Sequence, residues 1–204
     1  MHFFILLSSA LSVAAAPAAK KPACRSFSPS EIEFSSEFKQ PKPPIIKHDF
    51  TASFIQHKWD VELSHITQGF IVNSGPKGFV RVEQGNDDGI SSSVFDYKNV
   101  TKDGLVDNTL TTYAPGKTTP QIWRGYVNSN FPIFQKDLLV EAGAVLTGLV
   151  DRDFVGRVAS WSIMYQGTIP VTVYVDSCNK LVGYDYFAPD RRTRVTTRLY
   201  NVKA

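Results

Sequence analysis

From Ala159 to Val202 the chain keeps a two-residue period without interruption, over the longest such stretch in the sequence. Val171, Val173 and Val175 alternate with Thr172 and Tyr174; Asp176 to Lys180 has turn composition; Val182, Tyr184 and Tyr186 then alternate with Gly183 and Asp185. Upstream, Ala159, Trp161, Ile163 and Tyr165 alternate with Ser160, Ser162 and Met164. Downstream, Val195, Thr197 and Leu199 oppose Arg192, Arg194 and Arg198. Successive strand residues point to opposite faces, so this spacing predicts antiparallel strands near 158–165, 170–176, 181–187 and 193–201, paired in sequence order. Their shared apolar face needs a cover, because an exposed face of that size would associate or aggregate.

The first half has a similar pattern. Phe50, Ala52 and Phe54 alternate with Thr51, Ser53 and Ile55 to make a strand, and Phe70 and Val72 mark a second, with the same inward parity assigned to both residues. Asn73 to Gly78 is turn chemistry. In Phe79 to Glu83, Val80 and Val82 oppose Arg81 and Glu83; Asn86-Asp87-Asp88-Gly89 is another turn, leading into Ile90 to Tyr97 with Phe95 inward. Between the halves, Thr109 to Tyr113 is a short strand and Pro115-Gly116-Lys117-Thr118 a loop. From Pro132 to Ala142, Ile133, Phe134, Leu138, Leu139 and Ala142 have helical spacing, with proline near the start and Gly143 past the end, which predicts a helix lying over the sheet.

Residues 1–18 read as a secretory signal peptide: Phe3 to Leu11 is an uncharged apolar run, followed by small residues with A-x-A-like cleavage points. The run is too short for a transmembrane helix, which needs about 20 apolar residues. Residues 19–48 form an N-terminal extension, in which Ser28-Pro29-Ser30-Glu31 has capping-box spacing for a short helix and Gln40 to Pro44 is a stiff proline-rich connector. A single β domain, 49–204, follows. Cys24 and Cys178 are the only cysteines, and in an oxidising compartment two cysteines most simply form one disulfide. Closing so long a loop is worth about 4 to 5 kcal/mol in the chain-entropy model. The competing role for Cys178 is a catalytic thiol. Asn99-Val100-Thr101 is the one N-glycosylation sequon, and its charged surroundings read as surface.

The order of these pieces carries a resemblance. Phe50-x-Ala52-x-Phe54-x-Gln56, followed by a strand opening at Gly69, resembles the start of the bacterial periplasmic lipoprotein carriers of the LolA and LppX type. Phe79-Val80-Arg81-Val82-Glu83 and Thr197-Arg198-Leu199-Tyr200-Asn201-Val202 look like ependymin-related secreted proteins, which share that half-barrel fold. The chain departs from both groups: it has no lipid-attachment cysteine after the signal, and fewer cysteines than ependymin-related chains usually carry. The resemblance implies a strongly curved antiparallel sheet, a half-barrel or open barrel, around a cavity for acyl chains, with one or two short helices covering the concave face.

The residues alone leave two roles open for the inward aromatics, which come from an aromatic content of 12%. They fill a plain core, or they line a cavity for a lipid or other hydrophobic ligand. The expected lining is Phe50, Phe54, Phe70, Val72, Phe95, Trp161, Ile163, Val173, Val175, Tyr184, Tyr186 and Leu199. Burying a fourteen-methylene chain would contribute roughly 11 kcal/mol gross, at about 0.8 kcal/mol per CH₂. Enzyme signatures are lacking: there is no G-x-S-x-G, H-E-x-x-H or C-x-x-C, and Thr111 stands where a P-loop before Gly116-Lys117-Thr118 needs glycine. No cofactor is expected. His57, Asp60, Glu62 and His65 are either a metal-binding group or a solvated hairpin, and Asp151-Arg152-Asp153 reads as a charged loop. With 22 basic and 19 acidic residues, the formal charge of +3 is far from a nucleic-acid-binding profile. Arg192, Arg194 and Arg198 share one outward face and either meet an anionic surface or guard a strand edge with charge. The expected function is that of a secreted, non-enzymatic carrier of a hydrophobic ligand. The alternative is an extracellular module with a closed core that binds carbohydrate or protein through Trp59 and Trp123, and a hydrolase with an irregular site is a third reading.

Overall fold

The computed structural model describes Cys24, Ser26, Phe27 and residues 40–86, 89–165 and 167–204. The signal segment and the helix expected after Ser28 lie outside the described residues. Among these residues eleven strands follow in chain order: β1 (Asp49–Trp59), β2 (Ser64–Ser74), β3 (Phe79–Asn86), β4 (Gly89–Val100), β5 (Val106–Tyr113), β6 (Gln121–Val127), β7 (Val145–Arg152), β8 (Gly156–Tyr165), β9 (Ile169–Val175), β10 (Leu181–Ala188) and β11 (Thr193–Lys203). They make one antiparallel sheet, not closed, in the order β6-β5-β4-β3-β2-β1-β11-β10-β9-β8-β7. The sheet is therefore two meanders, β1 to β6 and β7 to β11, joined where β1 pairs with β11. That junction sets Phe54 opposite Leu199 and Gln56 opposite Thr197, and the buried Gln56 amide donates to the Thr197 hydroxyl at 3.0 Å.

The four strands read from the C-terminal alternation form and pair in sequence order as β8 to β11. Strands β6 and β7 were not anticipated. In β6 every residue from Gln121 to Arg124 is exposed, so its apolar members follow no inward period, and β7 has only one fully buried residue, Leu146. The helix expected over 132–142 shrinks to α1 (Leu138–Glu141), because the backbone ahead of it is engaged elsewhere. The Phe134 N–H donates to Asn73 Oδ1 at 2.9 Å, the Phe134 carbonyl accepts from Asn73 Nδ2 at 3.0 Å, and the Lys136 carbonyl accepts from the Ile46 N–H at 2.9 Å. Groups bonded to other segments are not free to close helical turns.

The parity of β2 also needs correction. Phe70-Ile71-Val72 is apolar on both faces, so alternation alone cannot orient it, and the register of the hairpin decides. Ala52 pairs with Ile71 and Phe50 with Asn73, which turns Phe70 and Val72 outward; Phe70 is 41% exposed and Ile71 1%. Gly69 is required here because a Cβ on it would overlap the Glu83 carbonyl of β3. In β3 the inward residues are Val80 and Val82 as expected, and Arg81 pairs with Glu83 outside.

The core lies on the inner face, where Phe54, Tyr184, Leu199 and Trp161 are buried with Phe131, Phe134 and Leu139 of the β6–β7 connection. The outer face of the second meander carries a smaller cluster. Arg152, read as part of a charged loop, is the last residue of β7. Its guanidinium stacks over the Tyr174 ring at 3.8 Å, pairs with Asp185 at 3.3 Å and donates to the Thr197 carbonyl at 3.2 Å. Tyr174 also donates to Asp185, at 2.8 Å.

Candidate functional site

The β6–β7 connection is tied to both meanders. On one side Tyr97 of β4 donates to the Phe131 carbonyl at 2.6 Å; on the other, Tyr184 and Tyr186 of β10 donate to the Asn130 carbonyl at 3.0 Å and to Asn130 Oδ1 at 2.9 Å. Phe131 sits edge-on to Phe54 and Phe134 is tilted on Tyr184, each with ring centroids 5.2 Å apart. Asn73 of β2 completes the attachment through Phe134. The connection is thus held by bonds from three strands far apart in sequence, and sheet and connection together enclose a cavity of about 390 Å³.

The wall of this cavity combines apolar and polar side chains. Val106 of β5, Ile163 of β8, Val171 and Val173 of β9, Leu138 of α1 and Phe134 supply hydrocarbon. Lys58 of β1, Tyr165 of β8, Ile169 of β9, Ala188 of β10 and Thr193 of β11 stand at strand ends, with Arg191 in the one-turn 3₁₀ segment Pro189–Arg191. Lys58 pairs with Asp60 at 2.9 Å, and the Thr193 hydroxyl donates to Asp60 at 2.6 Å. These two hydrogen bonds, Thr193's first, hold the Asp60 carboxyl below its ordinary pKa. Arg191 has no carboxylate partner among the described residues; its guanidinium faces the side-chain amide of Asn128.

Of the residues expected to line a ligand site, Ile163, Val173, Tyr184 and Tyr186 do border this cavity. Phe50, Phe54, Phe95, Val175 and Leu199 are core residues, 0 to 6% exposed, and do not border it. Trp161 is 2% exposed and borders a separate groove with Phe27, Pro44 and Val175. Phe70 and Val72 lie on the other face. The alternation rule identified the inner face but could not separate residues that fill from residues that enclose. Tyr97, Asn130, Phe134 and Leu138 were missed as site residues. Tyr97 has the parity of Phe95 and was legible on that ground, whereas the role of Asn130 depends on partners more than 50 positions away.

Cys24 and Cys178 form the disulfide, with Cα atoms 5.4 Å apart. Asn99 is exposed on β4; its amide donates to Asp107 at 2.9 Å and its carbonyl oxygen accepts from Tyr126 at 2.9 Å. Arg192 is not on the strand face expected for it: it precedes β11 in a left-handed conformation with φ of 50°. Arg194 lies over the Trp59 ring at 5.3 Å, and Arg198 pairs with Asp153 at 3.2 Å. Trp59 is also stacked on His57 at 3.5 Å. His57 bonds to Ser64 at 2.7 Å, and no group of three or more His, Cys, Asp or Glu among the described residues is arranged to hold a metal. No helix among them is long and apolar enough to cross a membrane.

No protein-family model matches the chain, and no curated protein matches it. Among solved structures, the crystal structure of a DUF1329 family protein from Desulfovibrio piger is similar, with a TM-score of 0.36 and 12% sequence identity over 76% of this chain and 85% of that one. A likeness of that degree carries no functional argument.

Burial gives the phenols of the site a measurable signature. Desolvation raises the pKa of Tyr186 to about 12 and that of Tyr165 above the ordinary phenol value, and it raises Tyr97 and Tyr184 further still. Tyr174, beside Asp185 on the outer face, is pushed up to about 12 by burial first and by that carboxylate second. Above pH about 10 the unfolded chain releases phenolic protons that the folded chain retains, so stability is complete below that pH and falls as pH rises through 10 to 12. Absorbance at 295 nm should show these five phenolates appearing together with loss of the near-ultraviolet dichroism. Their appearance at pH 10 in a still-folded protein would contradict the packing of the β6–β7 connection.

Proposed function

We propose that this chain is a secreted, non-enzymatic binding protein that carries a lipid or other hydrophobic molecule in the cavity between its sheet and the β6–β7 connection. The observation that carries this reading is the cavity itself: about 390 Å³, with apolar side chains of β5, β8, β9 and α1 in its wall beside a few polar and charged groups. Ligand sites run from about 300 to 1,000 Å³ and combine an apolar wall with a few placed polar groups. A packed core leaves few voids larger than a water molecule. Strong curvature of the sheet belongs to the same proposal. Val106 of β5 and Ile163 of β8 border one cavity although their strands are eight places apart in the sheet. At a strand spacing of about 4.8 Å a flat sheet would separate those strands by roughly 38 Å. Secretion is supported by the Cys24–Cys178 disulfide and by the apolar run near the start of the chain.

Native mass spectrometry of the protein purified from a secreting host tests the proposal. A population heavier than the bare chain by the mass of one lipid, released by organic extraction, is the expected result. Only the bare mass, from material that also takes up no added amphiphile, would overturn it.

A second reading, an extracellular surface-interaction module, is favoured by one feature. The edge strand β6 displays Ile122, Trp123 and Tyr126, at 71%, 48% and 47% exposure. Trp59 does not add to such a surface, being held between His57 and Arg194. A ligand for β6 would bind without reaching the cavity, so Trp123→Ala would abolish its binding and leave amphiphile uptake unchanged.

A further inference from the structure

We infer that the cavity selects a single-chain amphiphile with a small anionic head, a carboxylate or a phosphate, and that Arg191 is the residue that recognises the head. This rests on the carrier proposal above and adds the chemical class of the ligand to it.

Three observations converge. First, the two cations of the wall stand together: Lys58 lies at the end of β1 beside Thr193 at the start of β11, and Arg191 lies in the short segment between β10 and β11. The buried part of the wall includes Val173, Phe134 and Tyr184, which are 0 to 2% exposed. A ligand seated there has its apolar tail inside and its head among the strand ends. Second, the two cations at this end differ in what they already hold. Lys58 is neutralised by Asp60, which Thr193 also engages. Arg191 faces only a neutral side-chain amide among the described residues, and the residue is exposed. Asp103 also borders the cavity, but it sits on the β4–β5 turn, at the opposite strand ends from Lys58. Third, the phenols at the site cannot balance a cationic head, because Tyr97, Tyr184 and Tyr186 spend their hydroxyl protons on the β6–β7 connection and remain neutral.

A guanidinium presents several N–H donors in a planar fork that fits carboxylate and phosphate oxygens bidentately. Set at the rim of a low-dielectric hydrocarbon wall, that fork favours an oxyanion over a hydroxyl of the same chain length. The volume limits the rest of the ligand: about 390 Å³ is at the low end for ligand sites, enough for one chain rather than a diacyl or triacyl tail.

The test holds the tail constant and varies the head. Delipidated full-chain protein is titrated calorimetrically with tetradecanoate, tetradecyl phosphate, tetradecanol and tetradecyltrimethylammonium, below their aggregation concentrations. The expected result is that at least one anion binds about tenfold or more tighter than the alcohol, and the ammonium more weakly than the alcohol. The tighter of the two anions identifies the head. Arg191→Gln should bring the anion to within about twofold of the alcohol and leave the alcohol's own affinity unchanged, whereas Arg191→Lys should retain part of the preference. Because Arg191 is exposed, its replacement leaves the core intact, and an unchanged thermal midpoint verifies that. Equal affinity for alcohol and anions, or an anion preference that survives Arg191→Gln, overturns the inference while leaving the carrier proposal standing. Failure of all four probes to bind overturns both.

Discussion

Trp161→Ala should lower stability by about 3 to 5 kcal/mol, the usual cost of truncating a packed tryptophan, and should leave amphiphile uptake within a few fold of wild type. Trp161 is 2% exposed and pairs across the sheet with Val173 on one side and Leu146 on the other. It does not border the cavity. Its indole N–H is buried without an acceptor among the described residues, so Trp161→Phe, which removes that donor and keeps an aromatic ring, should cost markedly less. Urea denaturation followed by fluorescence or dichroism gives both values. A loss below about 1.5 kcal/mol for the alanine variant together with abolished uptake would move the ligand site to Trp161.

Asn73→Ala should be of similar size despite removing only a small polar side chain. Asn73 is fully buried and donates to the His48 carbonyl at 2.6 Å and the Phe134 carbonyl at 3.0 Å, while accepting from the Phe134 N–H. Alanine leaves the Phe134 N–H and carbonyl in the interior without partners, while the His48 carbonyl keeps the Gly75 N–H at 2.9 Å; at about 1 to 3 kcal/mol for each orphaned group, a loss of about 2 to 4 kcal/mol is expected after partial relaxation. Because the same bonds hold the β6–β7 connection against β2, uptake should weaken together with stability. Phe70→Ala is the control: on the outer face and 41% exposed, it should change stability by less than about 1 kcal/mol and uptake not at all. A large effect at Phe70 and none at Asn73 would reverse the register of β2.

The contrast between these two neighbours shows what was legible in the sequence. Where polar and apolar residues alternate strictly, as in Val171 to Val175 or Val80 to Glu83, one face is unambiguous and the strand, its neighbours and its buried residues follow. Phe70-Ile71-Val72 has no polar member, and only pairing with β1 orients it. Asn73 would be turned outward by any hydropathy rule, yet it is the residue that replaces helical hydrogen bonds at Phe134. The helix expected from the spacing of Ile133, Phe134, Leu138 and Leu139 fails for that reason: helical periodicity counts apolar positions and is blind to where the backbone groups of 131–136 are bonded. Cys24 and Cys178 were legible because two cysteines allow only one intramolecular pair. The cavity was not legible, since Phe54 and Val173 have the same parity and both are buried, and only the path of the connection leaves space beside one of them.

Whether that space takes a ligand is decided most directly by filling it. Val171 is partly buried, borders the cavity and faces Ile163 and Tyr186 across β8 and β10, so Val171→Trp extends a strand-compatible ring into the void instead of into packed atoms. Delipidated wild-type protein should bind a fluorescent fatty acid with a Kd below about 10 μM, at one site per chain. Val171→Trp, with stability within about 1 kcal/mol of wild type, should lose that binding by about a hundredfold or more. Equal binding by the two proteins, or none by the folded wild type, would contradict the carrier function.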